Sequence, residues 1–199
     1  MSSSALVPSL VRPTSRLTAS FADLVLVVAG VGLLSLCAQV SLSLEPLTPV
    51  PLTGQTFGAL LLGASYGAAR ATTTLAGYLL VGALGAPIFA AHSSGWSVLT
   101  TSSATGGYLI GMLFAALAVG LMADLAWDRH LLSALAGMAI GTVLVYTIGA
   151  TWLAHALDVP LRRAWELGIR PFLVGDAIKM VLAGSALPAA WRLVDRVRD

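Results

Sequence analysis

Apolar residues run along the chain in blocks of about twenty or more, with no strict alternation of apolar and polar positions. Phe21–Leu44 forms one such block, Thr105–Ala123 a second, Leu131–His155 a third and Pro171–Leu193 a fourth. The stretch from Thr56 to Ile88 is too long for one span and is interrupted at Arg70, between Gly67 and Thr72, which predicts two shorter helices over 56–69 and 71–86. The pattern therefore predicts an all-α integral membrane protein of six transmembrane helices in a single bundle. Residues 1–20 are expected to form an N-terminal tail, 21–195 the membrane domain and 196–199 a C-terminal tail. The length of the first block, and its lack of a small-x-small cleavage pattern, argue against a removable signal peptide.

Composition supports the membrane reading. Of 199 residues 57% are hydrophobic and only 10% are charged, with a mean hydropathy of +0.88. Soluble domains carry about 25% charged residues. The net charge of +2 gives no sign of a nucleic-acid partner. The single cysteine, Cys37, lies inside an apolar run and has no intrachain partner. Cationic residues orient the bundle, because they accumulate on the cytoplasmic side. With both termini inside, Arg12, Arg16, Arg70, Arg129, Arg192, Arg196 and Arg198 are cytoplasmic, against Arg162, Arg163 and Arg170 outside. That orientation leaves three long loops outside, 45–55, 87–103 and 155–170, and suggests a site opening there.

Two charges fall within the body of a predicted span, Asp176 and Lys179. Three residues apart on a helix, they share a face and can neutralise each other. Ionisable groups in lipid are costly and mark functional positions. The pair reads either as an internal salt bridge or as an anchor for a ligand that offers both a donor and an acceptor. Pro49-Val-Pro-Leu-Thr-Gly-Gln-Thr56 is the second unusual segment. Its prolines stiffen it, and Thr53, Gln55 and Thr56 put hydroxyl and amide groups where a helix starts. It serves either as a helix cap and connector or as a lid hinged near Gly54. Ser103–Tyr108 places a glycine pair at another helix start. Gly63-Ala-Ser65-Tyr-Gly67 matches the Gly-x-Ser-x-Gly expression of serine hydrolases, yet it falls within a membrane helix instead of a strand-to-helix elbow. The sequence has no nucleotide-binding P-loop, no metal-ligand cluster and no sign of a cofactor.

Four segments recur in order: Pro49-Val-Pro-Leu-Thr-Gly-Gln-Thr-Phe57, Gly77-Tyr-Leu-Leu-Val-Gly-Ala-Leu-Gly-Ala-Pro-Ile-Phe89, Thr105-Gly-Gly-Tyr-Leu-Ile-Gly111 and Pro171-Phe-Leu-Val-Gly-Asp-Ala-Ile-Lys179. Together, over about residues 20–195, the chain resembles BioY, the biotin-specific S component of energy-coupling factor transporters. It departs from that pattern in loop 90–104, which lacks the usual glycine-rich stretch, and in the first helix, which lacks an Ala-x-x-x-Ala repeat but carries Gly30 and Gly32. The resemblance implies a non-enzymatic, biotin-capturing subunit of the plasma membrane, working with a transmembrane coupling subunit and two ATPases. On that reading Asp176 suits the ureido N–H groups of biotin, and Lys179 suits the ureido oxygen or the carboxylate. Thr53 and Gln55 contribute from the first loop, and Tyr78, Phe89, Trp96 and Tyr108 pack on the rings and tail. The rival readings are an S component for another vitamin, thiamine or riboflavin, and an intramembrane hydrolase using Ser65.

Overall fold

The structure is a computed structural model that describes residues 5–7 and 16–198, with side chains described from 17 to 192 within the latter range. The predicted N-terminal tail lies largely outside the described residues. Where it is described, it is already helical, because α1 runs Arg16–Gln39 and so starts five residues before Phe21. A short antiparallel hairpin follows, β1 Ser41–Leu42 with β2 Leu52–Thr53, in register Ser41↔Thr53 and Leu42↔Leu52. Then come α2 Gln55–Tyr66, α3 Ala68–Ala83, α4 Gly106–Asp124, α5 Leu131–Ala156, α6 Leu161–Gly168 and α7 Leu173–Arg198. The predicted tail 196–199 likewise continues α7 as far as it is described.

Four of these helices are long and apolar enough to cross a membrane, over Leu17–Gln39, Gly106–Asp124, Leu131–Ala156 and Leu173–Arg192. α2 and α3 are shorter, 12 and 16 residues. At about 1.5 Å per residue neither matches a hydrocarbon core of about 30 Å by itself. α4 is the central helix, packed against α2, α3 and α5, whereas α1 shows most of its apolar surface outward. Close packing rests on small residues, as between helices in lipid. A Cβ on Gly120 would lie 2.6 Å from the backbone of Ala68.

The break between α2 and α3 is at Gly67, three residues before the expected Arg70. Gly67 has φ 78°, a conformation that side chains disfavour, and its N–H closes α2 on the Gly63 carbonyl. Asp124 accepts the Ala68 N–H at 3.1 Å and so caps α3 from the far side of the turn. Arg70 is drawn into the first turn of α3, where its Nε donates to Asp23 Oδ1 at 2.6 Å. The second correction concerns 155–170, expected as loop. There Leu161, Ala164, Trp165 and Gly168 make one face of α6, with Ala164 and Gly168 buried, while Arg162, Arg163 and Glu166 pair on the other face.

The helix connections are unequal at the two ends of the bundle. At one end lie the hairpin, the segment 84–105 with its short 3-10 turns Ala90–His92 and Trp96–Leu99, and α6. At the other lie the turn at Gly67 and the short link 125–130.

Candidate binding site

Asp176 and Lys179 sit in the first two turns of α7, where their three-residue spacing turns both inward. Lys179 Nζ donates to Asp176 Oδ1 at 2.8 Å. It also donates to the Thr53 carbonyl at 2.7 Å and reaches Thr56 Oγ1 at 3.4 Å. The second carboxylate oxygen, Oδ2, accepts the Tyr146 hydroxyl of α5 at 2.6 Å. Asp176 is 6% exposed, so both its charge and that of Lys179 are held by partners inside the bundle. Such pairing is what a buried ion pair requires.

The loop end presses onto this pair through β2. The Thr53 carbonyl is available to Lys179 because the hairpin turns the chain sharply at Gly54, whose N–H donates to the carbonyls of Cys37 and Val40 at 3.0 and 3.1 Å. Gly54 has φ −77°, a conformation open to most residues. Glycine is needed there for closeness, because a Cβ would sit 2.9 Å from the Cys37 carbonyl oxygen. α2 begins here with Gly54 as its N-cap and no side-chain cap; Thr53 Oγ1 instead accepts the Gln55 N–H at 3.3 Å.

Between the hairpin, segment 89–98 and α2, α4, α5 and α7 lies a partly open cavity, and clefts between the helices of a bundle are a common place for small-molecule sites. Thr53, Gln55, Phe89, Tyr108, Asp176 and Lys179 all line it. Non-helical backbone reaching into a membrane bundle is tolerated where it borders such a cavity. Tyr108 is positioned by its hydroxyl, which donates to the Gly168 carbonyl of α6 at 2.9 Å, with its ring laid against Gly149 of α5. Gln39 Nε2 donates to the Phe89 carbonyl at 3.2 Å and ties that segment to α1.

Two expected contact residues are not part of the wall. Tyr78 is fully buried one layer behind it: its hydroxyl accepts from Gln55 Nε2 at 2.8 Å and donates to the Ile88 carbonyl at 2.9 Å, and its ring meets Phe89 edge-on. The register of α3 turns Tyr78 toward the starts of its neighbours and away from the cavity. Trp96 is 68% exposed. The turn Trp96–Leu99 points Val98 into the cavity and leaves Trp96 outside.

The wall also contains residues that the sequence reading did not single out: Tyr146, Thr105, Met112, Val145 and Phe172. A tyrosine in the middle of the apolar run 131–156 was the available signal for Tyr146. Ser65 donates to the Leu61 carbonyl at 2.6 Å inside α2, an ordinary helix back-bond with no elbow. Among the described residues no group of three or more His, Cys, Asp or Glu is placed to hold a metal ion.

Residues 12–196 match the BioY family. A biotin transporter BioY of Thermotoga maritima is 38% identical over 146 residues, covering 69% of this chain and 79% of that protein. A probable biotin transporter BioY of Pyrococcus horikoshii is 36% identical over 168 residues, covering 84% and 93%. Among solved structures, the crystal structure of the S-component for biotin from an ECF-type ABC transporter superposes with a TM-score of 0.80 at 20% identity. The match covers 90% of this chain and 95% of that one, so the two share a fold.

Proposed function

The chain belongs to the BioY family, and from that premise we propose that it is a biotin-binding membrane subunit, taking the vitamin into the cavity beside α7. The observation that carries the reading is the touching pair of Asp176 and Lys179 at the wall of an otherwise mainly apolar cavity. Biotin offers two ureido N–H donors beside a strongly accepting carbonyl oxygen. A carboxylate and an ammonium side by side complement both, and charge-assisted hydrogen bonds are about twice as strong as neutral ones. The apolar thioether ring and tail suit Phe89, Leu109, Met112 and Val145. As an S component it would deliver biotin to a transmembrane coupling subunit driven by two ATPases. The sixfold crossing of the membrane includes α2 and α3. Both termini face the cytoplasm and the loop end faces outward, in keeping with the excess of arginine toward the termini and the tight turns.

The deciding experiment is titration of biotin into the purified protein in nanodiscs, with mass spectrometry of any small molecule carried through purification. Asp176→Asn and Lys179→Met should each weaken biotin by at least about tenfold, because each strands a buried partner. A copurified thiamine or riboflavin, or wild-type affinity in both variants, would overturn the reading.

A further inference from the structure

Only two charged side chains line the cavity among the described residues, and they touch. The other polar lining groups are hydroxyls of threonine, serine and tyrosine and the Gln55 amide, all neutral. Biotin carries one more charge than this arrangement answers, the carboxylate at the end of its tail.

Lys179 is poorly placed to answer it. Its ammonium is 2.8 Å from Asp176 Oδ1, so a ligand carboxylate bound there would stand beside a second carboxylate. Like charges that close are mutually unfavourable, and most so away from water. A neutral ureido group has no such conflict, since its N–H groups face Asp176 while its oxygen faces Lys179. The tail then points away from α7 toward uncharged groups such as Thr105 and Ser93, and Ser93 is exposed where the cavity opens. Arg170 precedes α7 but is exposed and does not line the cavity.

We propose that the cavity recognises biotin through its ureido ring and leaves the tail carboxylate without a cationic partner. Its ligand class then includes biotin amidated at that carboxyl, up to the amide with a lysine ε-amino group. The proposal rests on the biotin reading above and adds a statement about which end of the molecule is read. An uncharged amide at the tail loses only weak hydroxyl contacts, and an extension beyond it leaves through the mouth beside Ser93.

The test compares biotin, its primary amide and its lysine ε-amide on the full chain in nanodiscs, using wild type, Lys179→Met and Arg170→Gln. Both amides should bind within about fivefold of biotin. Lys179→Met should weaken biotin and the primary amide by the same factor, which places Lys179 at the end the two ligands share. Arg170→Gln should leave biotin affinity within about twofold. Amides weaker by about a hundredfold, a Lys179→Met loss confined to the acid, or a large loss in Arg170→Gln would each overturn the proposal while leaving biotin binding intact. Failure of biotin itself to bind would instead overturn the parent reading, and this one with it.

Discussion

At the loop end of the bundle Asp176 has a partner on each carboxylate oxygen, Lys179 on Oδ1 and Tyr146 on Oδ2. At the opposite end Asp128, 2% exposed, has Trp191 Nε1 on Oδ2 at 2.6 Å, while Oδ1 makes no hydrogen bond among the described residues. Burial pushes the Asp128 carboxyl up from its ordinary range, with the Trp191 bond and the nearby Arg129 opposing. Arg129 stacks on the Trp191 ring at 4.5 Å. The link between α4 and α5 is thus fastened to α7 through one carboxylate and one indole. One end holds a carboxylate in a fully paired network beside an empty volume; the other uses a half-paired carboxylate as a clasp where there is little room for a ligand. A buried charge points to a binding site when its network borders space and offers bonds that a ligand can replace.

The sharpest way to break that contrast is to delete the ion pair as a unit. Asp176→Leu with Lys179→Met should abolish biotin binding, a loss beyond about a hundredfold, while the melting temperature stays near wild type, since apolar replacement of a buried pair is often neutral or stabilising. A strong fall in melting temperature would make the pair a structural clasp as well. Next in size, Gly120→Val should reverse the pattern. It forces a side chain against the Ala68 backbone, which costs about 1–3 kcal/mol of stability but leaves the affinity of the folded fraction unchanged in calorimetric titration. Tyr146→Phe should weaken biotin by about tenfold, because Asp176 Oδ2 is left buried without its donor; unchanged affinity would remove Tyr146 from the network's function. The smallest effect on binding is expected from Trp191→Phe, which strands the buried Asp128 carboxylate at a cost of about 1–3 kcal/mol of stability, read by thermal denaturation, with equal biotin affinity alongside.

Much of this was legible along the chain. Asp176 and Lys179 stood out because charge is rare in apolar runs, and their spacing alone placed them on one face. Thr53 and Gln55 followed from a stiff polar segment at a helix start. Tyr146 was hidden because its role depends on α5 meeting α7 across thirty residues of sequence, and periodicity says nothing about which helices become neighbours. Tyr78 and Trp96 stand off the wall for a related reason: both are aromatic and near the loop end, but helix register sends one behind the wall and the turn Trp96–Leu99 leaves the other outside it. Arg70 drew the predicted break because a charge interrupts hydropathy, whereas the backbone turns where φ becomes positive, at Gly67. α6 was missed because its three charges obscured an apolar stripe only a few residues long.

The bond from Lys179 to the Thr53 carbonyl joins residues 126 positions apart. Lys179 is held by that carbonyl and by Asp176 Oδ1 together, so a group that bonds to the ammonium competes with two partners. If the state free to accept a ligand held one molecule in ten, the apparent dissociation constant of every ligand would rise about tenfold. A ligand that supplies both an acceptor for the ammonium and donors for the carboxylate recovers that loss, but one that supplies a single match does not. On the biotin reading, the tether is thus a threshold that disfavours half-fitting molecules.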